Sequence, residues 1–217
     1  RNYLDWATAR AGPFRPLCRG CVTASLRCSV TAYLPKGDPM FITDRDLLTF
    51  EPNLFRDAGA AGQRLIRATG SIAGTTLTLA TYDVDLADAD IAAGHVALVD
   101  GTPYEVIERL SPTTATLSRL RVYTADPILP PSPATSKPVD IYTFRPQIAQ
   151  VHAQILRMLG IEPEDLPIPG RVTEDDILNP GALTMVEALG AIYQVYTAAD
   201  GLTFSPNSSN FQRARIF

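Results

Sequence analysis

Asp100 and Gly101 stand between two apolar runs, VALV at 96–99 and PYEVI at 103–107, and this dipeptide constrains the chain more than any other feature. A two-residue type I′ turn needs positive φ at both central positions, so the flanking runs are expected to pair as a tight antiparallel hairpin. Upstream, in SIAGTTLTLATYDVDL, Thr76 and Thr78 alternate with Leu77 and Leu79, the period-two signature of a half-buried strand. Downstream, a turn at Ser111 and Pro112 leads to ATLSRLRV, where Leu117, Leu120 and Val122 alternate only approximately. About four or five short antiparallel strands are expected in this β-module, closed into a small barrel or paired sheet because closure removes exposed edges. The module is placed at residues 71–125.

The segments on either side read as helices. Within 40–70, Thr43 followed three positions later by Asp46 imitates a capping box, and Leu47, Leu48, Phe50, Leu54 and Phe55 supply an apolar face. Pro52 splits the segment into a short helix and a second one with proline near its first turn, which Gly59, Gly62 and Gly70 weaken or end. Residues 126–142 open with DPILPPSPATSKP, five prolines in thirteen residues, and read as a stiff polyproline-like connector. From 143 to 200 the helical period returns: Ile148, Val151, Ile155, Leu156 and Leu159 recur at three and four, with Gly160 as the stop. Asn179 and Pro180 suit an N-cap and first helical position; the helix after them carries Leu183, Val186, Leu189, Ile192, Tyr193 and Tyr196 on a broad face, with Gly190 allowing close helix contact. Residues 1–39 lack a sustained period and read as an extended N-terminal arm with one strand-like stretch, TASLRCSVTAYL. Residues 201–217 form a tail, polar and then basic, with Arg213 and Arg215 beside Phe211 and Phe217. The expected fold class is α+β: a helical-bundle scaffold with an inserted small antiparallel β-barrel or sheet module.

The side chains carry no strong chemical signature. A charged fraction of 19% against 46% hydrophobic residues suggests a surface partly covered by a partner. A net charge of −4 argues against a general electrostatic grip on nucleic acid. No apolar run approaches the ~20 residues of a membrane span and no signal-peptide pattern opens the sequence, so a soluble protein inside a cell or particle is expected, without a membrane partner. Arg1 is not a start residue, so upstream residues are expected; Met40 is an alternative start.

Cys18, Cys21 and Cys28 are three clustered thiols, short of a four-ligand zinc set unless His95, His152 or an acid completes it; reduced thiols in an arm are the plainer reading. His152 lies beside the apolar row of its helix and His95 opens a strand, and no elbow pattern offers a serine to either. The run Asp83, Asp85, Asp88, Asp90 lacks the glycine and terminal glutamate of a helix-loop-helix calcium site and reads as a solvated turn. No glycine pattern forms a phosphate cradle. No catalytic, cofactor-binding or metal residue is assigned, no cofactor is expected, and the protein is read as a non-enzyme. Arg213 and Arg215 are a weak nucleic-acid signal, and a terminal segment docking on another protein fits them better.

The order FITDRDLLTFEPNLF, GTTLTL, VALVDGTPYEVIERL, TATLSRLR, a proline connector, FRPQIAQVHAQILRMLGI and ALTMVEALGAIYQVY resembles the virion neck proteins of tailed bacteriophages, the head-to-tail adaptors or connectors below the portal. VDGTPYEVIERLS is similar to the turn and Y-x-V phrase of small barrels in phage connector and stopper proteins, and ALTMVEALGAIYQVY resembles the late helix of adaptors, which packs on the first helix of the bundle. The resemblance covers residues 40–200 and implies a mechanical role in the virion neck, reached from the host cytoplasm. It implies copies of the chain in a ring, commonly a dodecamer, docked on the portal and on the next neck or tail protein, with DNA in passing contact in the lumen. Three alternatives stand beside it. They are a tail terminator or baseplate component, a non-phage enzyme or small-molecule binder with a pocket between β-module and helices, and a zinc-dependent nucleic-acid binder built on CRGCVTASLRC.

Overall fold

The computed structural model describes residues 40–161, 170, 172–203 and 209–217. The three cysteines and the expected arm at 1–39 lie outside the described residues. The Asp100–Gly101 turn forms as expected, with φ of 52° and 75° and Val99 paired to Thr102. It joins β3 (Val96–Val99) to β4 (Thr102–Arg109). A second tight turn at Gly74 and Thr75 joins β1 (Gln63–Ala73) to β2 (Thr76–Tyr82), and β5 (Thr114–Ser118) and β6 (Ala134–Thr143) complete the set. The six strands close into an antiparallel barrel in the order β1-β2-β5-β4-β3-β6, with β6 pairing back onto β1.

This overturns the expected helical-bundle scaffold with an inserted β-module. The barrel is the scaffold, it runs from residue 63 to 143, and helices cover part of it. Two strands were hidden. β1 lies where the second helix was expected to fade: its Gln, Arg, Leu and Ala are good helix formers, yet Ile66, Ala68, Gly70 and Ile72 alternate inwards. Gly70 is a site of close backbone approach and not a helix stop, since a Cβ there would lie 2.9 Å from the Thr78 carbonyl oxygen. All of β6 but its last residue, Thr143, lies in the expected proline connector. Its Pro138 carbonyl accepts from Asp100 N–H at 2.9 Å. The absent N–H therefore faces the same side, at the hairpin turn, where the β3–β6 ladder has already ended at Val99 and Val139.

The barrel interior is filled by aliphatic side chains, including Ile66, Leu77, Val99, Leu117, Val139 and Ile141. Leu86 and Ile91 from the acidic 83–95 loop join the same core. β3 is buried at all four positions because it has two covered faces: Ala97 and Val99 face the barrel core, whereas Val96 and Leu98 belong to the core shared with the helices.

α1 (Asp44–Phe50) starts with the anticipated box, Asp46 Oδ2 accepting from Thr43 N–H at 2.8 Å. α2 (Leu54–Ala58) is short and follows Pro52, running into a 3-10 turn at Gly59–Ala61. α3 (Arg145–Met158) ends in a Schellman motif, with Ile161 N–H donating to Leu156 and Gly160 N–H to Arg157. Asn179 and Pro180 begin a 3-10 turn, and α4 (Thr184–Thr203) follows. The buried face of α4 is rotated from expectation: Glu187, Ala188, Ala191, Ile192, Val195 and Tyr196 are covered, while Val186 and Tyr193 are exposed. Small side chains let α3 and α4 approach closely, which outweighs the larger apolar area of the other face. The tail is not free: α5 (Ser209–Ala214) docks on the protein's own helices, with Arg213 Nη1 2.6 Å from Asp57 Oδ2 and 3.1 Å from the Tyr196 hydroxyl.

At Gly190 a Cβ would sit 2.8 Å from Val151 Cγ1. Valine is stiff at χ1 in a helix and has no room to yield. Gly190→Ala is expected to destabilise by about 1–2 kcal/mol in urea unfolding despite its better helix propensity, and adding Val151→Ala to recover part of that loss.

Candidate functional site: buried charge clusters and a groove

Three clusters of buried charge lie where helices meet barrel or one another, and none was anticipated. In the first, Glu105 of β4, 1% exposed, is held between two arginines. Arg45 Nε of α1 donates to Oε2 at 2.7 Å and Arg121 Nε, from the loop after β5, donates to Oε1. Arg45 also reaches Asp46 Oδ1 at 2.8 Å and the Arg121 carbonyl, and Arg121 Nη1 donates to the Asp126 carbonyl at 2.7 Å. Burial pulls the Arg45 guanidinium down, but hydrogen bonds to Glu105 and Asp46 outweigh it and leave it above its ordinary range. The available signal was Glu105 itself, an acid in the middle of the apolar run PYEVI. An acid buried there needs cations, because an uncompensated buried charge is costly.

The second cluster is Asp44 in the first turn of α1, whose Oδ1 accepts from Phe144 N–H at 2.8 Å, just ahead of α3. One carboxylate thus serves two helix N-termini, where its charge is favourable. Burial pushes it up, and this outweighs the hydrogen bonds from Thr143 and Phe144.

In the third cluster His152 of α3 and Glu187 of α4 meet, Nδ1 to Oε1 at 2.8 Å, with 4% and 0% exposure. The Phe41 ring packs at 4.7 Å from the imidazole, and Glu174 Oε2 lies 3.3 Å from Nε2. Burial pushes the Glu187 carboxyl up, opposed by His152 and by the backbone amides of Ile42 and Phe41. Both side-chain neighbours of the imidazole nitrogens are carboxylates, an arrangement that orients the ring but supplies no nucleophile. Beside this cluster an open groove of about 540 Å³ is lined by Met40, Phe41, Ile177 and Pro180, with Glu174 and Asp175.

His95, Asp83, Asp85, Arg213 and Arg215 stay apart from these clusters. His95 bonds within its own turn, Nδ1 to the Ala92 carbonyl at 3.0 Å. Asp83 accepts from Arg67 and Val84 N–H, and Asp85 from Ala87 and Asp88 N–H, so these carboxylates are spent on turn geometry. Asp83 is held below the usual carboxylate range by the Arg67 amide first of all. Arg213 serves Asp57 and Tyr196, while Arg215 is exposed. Among the described residues no group of three metal-ligating side chains converges, and no helix is long and apolar enough to cross a membrane. No protein family, curated protein or solved structure matches the chain.

Glu105→Ala leaves two arginines buried without their shared partner and is expected to cost about 3–5 kcal/mol in urea unfolding. The triple change Arg45→Met, Glu105→Leu, Arg121→Met, which removes the charges together, is expected to retain far more stability than Glu105→Ala.

Proposed function

We propose that the protein is a structural component of a tailed-phage virion, a head-to-tail connector that works as copies of itself in a ring between portal and tail. The observation that carries the reading is the way the buried charge is used. Glu105, Arg45, Arg121 and Asp44 join α1, α3 and the β5–β6 loop to the barrel or to each other, which makes a stiff block. The barrel interior is packed with aliphatic side chains. The volume between barrel and helices, where a ligand-binding protein would keep its pocket, is core filled by Leu54, Phe55, Val96, Leu98 and Phe144.

The surface supports an assembly role as well. Large apolar side chains are exposed on three elements: Val122, Tyr123 and Leu129 in the β5–β6 loop, Met158 at the end of α3, and Val186 and Tyr193 on α4. A ring needs two unlike patches, one meeting the other on the next copy. Exposed apolar surface marks an interaction site where it is contiguous.

Native mass spectrometry with negative-stain imaging, on the protein alone and with its candidate portal, tests the reading. Rings of fixed copy number, alone or only with the portal, are expected. A monomer or dimer that ignores the portal overturns the proposal.

A further inference from the structure

We propose that His152 is a proton-operated tether: with both ring nitrogens protonated it holds the 173–182 segment on the α3–α4 pair, and loss of one proton lets that segment go. This goes beyond the connector reading and does not depend on it. Among the described residues from Val172 to Val186 none is buried, and Leu178 is fully exposed. The 3-10 turns at Glu174–Asp176 and Pro180–Ala182 contribute no buried side chain. A segment without apolar anchors stands at the low end of local stability, so a single polar link decides whether it stays. Asp176 is engaged within the turn, accepting from Thr173 N–H at 2.8 Å and from its hydroxyl at 3.0 Å. Among the described residues the segment's one ion-pair link to the helices is Glu174 Oε2, 3.3 Å from His152 Nε2.

Imidazole carries that link in one protonation state only. Nδ1 lies 2.8 Å from Glu187 Oε1, so each ring nitrogen faces a carboxylate, and an ionised carboxylate only accepts. A ring with one proton donates to one of them and turns a lone pair towards the other. A ring with two protons donates to both and places positive charge between them. Burial favours the second arrangement: Glu187 is fully buried, and among the described residues His152 is its charged partner, while an uncompensated buried carboxylate is costly. The charged groups facing the ring are thus Glu187 from α4 and Glu174 from the turn, which also carries Asp175 and Asp176; the 40–42 segment brings no charge, only the Phe41 ring at 4.7 Å. α3 and α4 are also joined by apolar packing, Val151 against Gly190 among it, so losing the proton frees the turn and leaves the helices together. His152 gains partners on folding, so the tether is in place at low pH and is lost as the pH rises through the titration of the ring.

The test is NMR on the ¹⁵N-labelled full chain between about pH 5 and 9, with the ring nitrogens of His152 and His95 followed separately from the backbone amides. The amides of Glu174, Asp175 and Ile177 are expected to shift with the same midpoint as the His152 ring, while those of Leu77 and Leu117 in the barrel stay still. Glu174→Gln keeps the Thr173–Asp176 box and the buried His152–Glu187 pair, and its fold is verified from the same spectrum. In that variant the ring is expected to lose its second proton about one pH unit lower than in the parent protein, and the turn amides no longer follow it. A His152 ring whose proton count does not change over this range, whether one or two, overturns the proposal. So does a ring that titrates while the turn amides stay still, or a turn whose response is the same in Glu174→Gln.

Discussion

Burying the Glu105 carboxylate is tolerable only if cations come with it, and the two that come belong to different parts of the chain. Arg45 brings the first turn of α1 onto β4, and Arg121 brings the loop that leaves β5. With α1 fixed, Asp44 is in place to accept from Phe144 N–H and set the start of α3. α3 in turn carries Val151 and His152 against Gly190 and Glu187 of α4. The positions of the helices thus follow in sequence from one buried acid. Apolar packing supplies most of the driving force, but hydrophobic contacts are not directional. The ion cluster and its backbone carbonyl partners fix orientation, as buried networks do when every member is satisfied.

Local features with their own chemistry were legible in the sequence. The Asp100–Gly101 turn, the Thr43–Asp46 box, the alternation of Leu77 and Leu79 and the Gly160 stop all rest on neighbouring residues, and all appear as expected. What escaped was decided at long range. Residues 63–70 open with helix formers (Gln63, Arg64, Leu65) and become part of a strand because β6 and β2 pair with β1 on both sides. Residues 134–143 contain proline and become a strand because closure requires a partner between β1 and β3. Once these two segments move from helix and connector to sheet, the barrel stops being an insertion and becomes the body. The face of α4 differs for a related reason: side-chain size favours Tyr193 and Val186, whereas the close α3 contact selects Ala188 and Ala191.

The candidate site was invisible for the same reason. Arg45, Glu105 and Arg121 are separated by 60 and 16 residues and carry no spacing motif. His152 was placed at the edge of an apolar row, and its partner Glu187 lies 35 residues away. Only the oddity of an acid inside an apolar strand run pointed to one of these positions. The chemistry found there is positional: it clamps elements together. A molecule built this way suits a task that needs a stiff shape, in keeping with the proposed connector role.

The central claim is that α1 and the barrel form one cooperative unit through Glu105. Native-state hydrogen exchange measures this directly, because it reports the opening free energy of each amide. The account predicts that the slowly exchanging amides of α1, around Leu47 and Leu48, open with the same free energy as those of β3 and β4. If α1 instead opens well below the barrel, by more than about 2 kcal/mol, the helix is merely laid on the surface and the clamp does not hold the fold together.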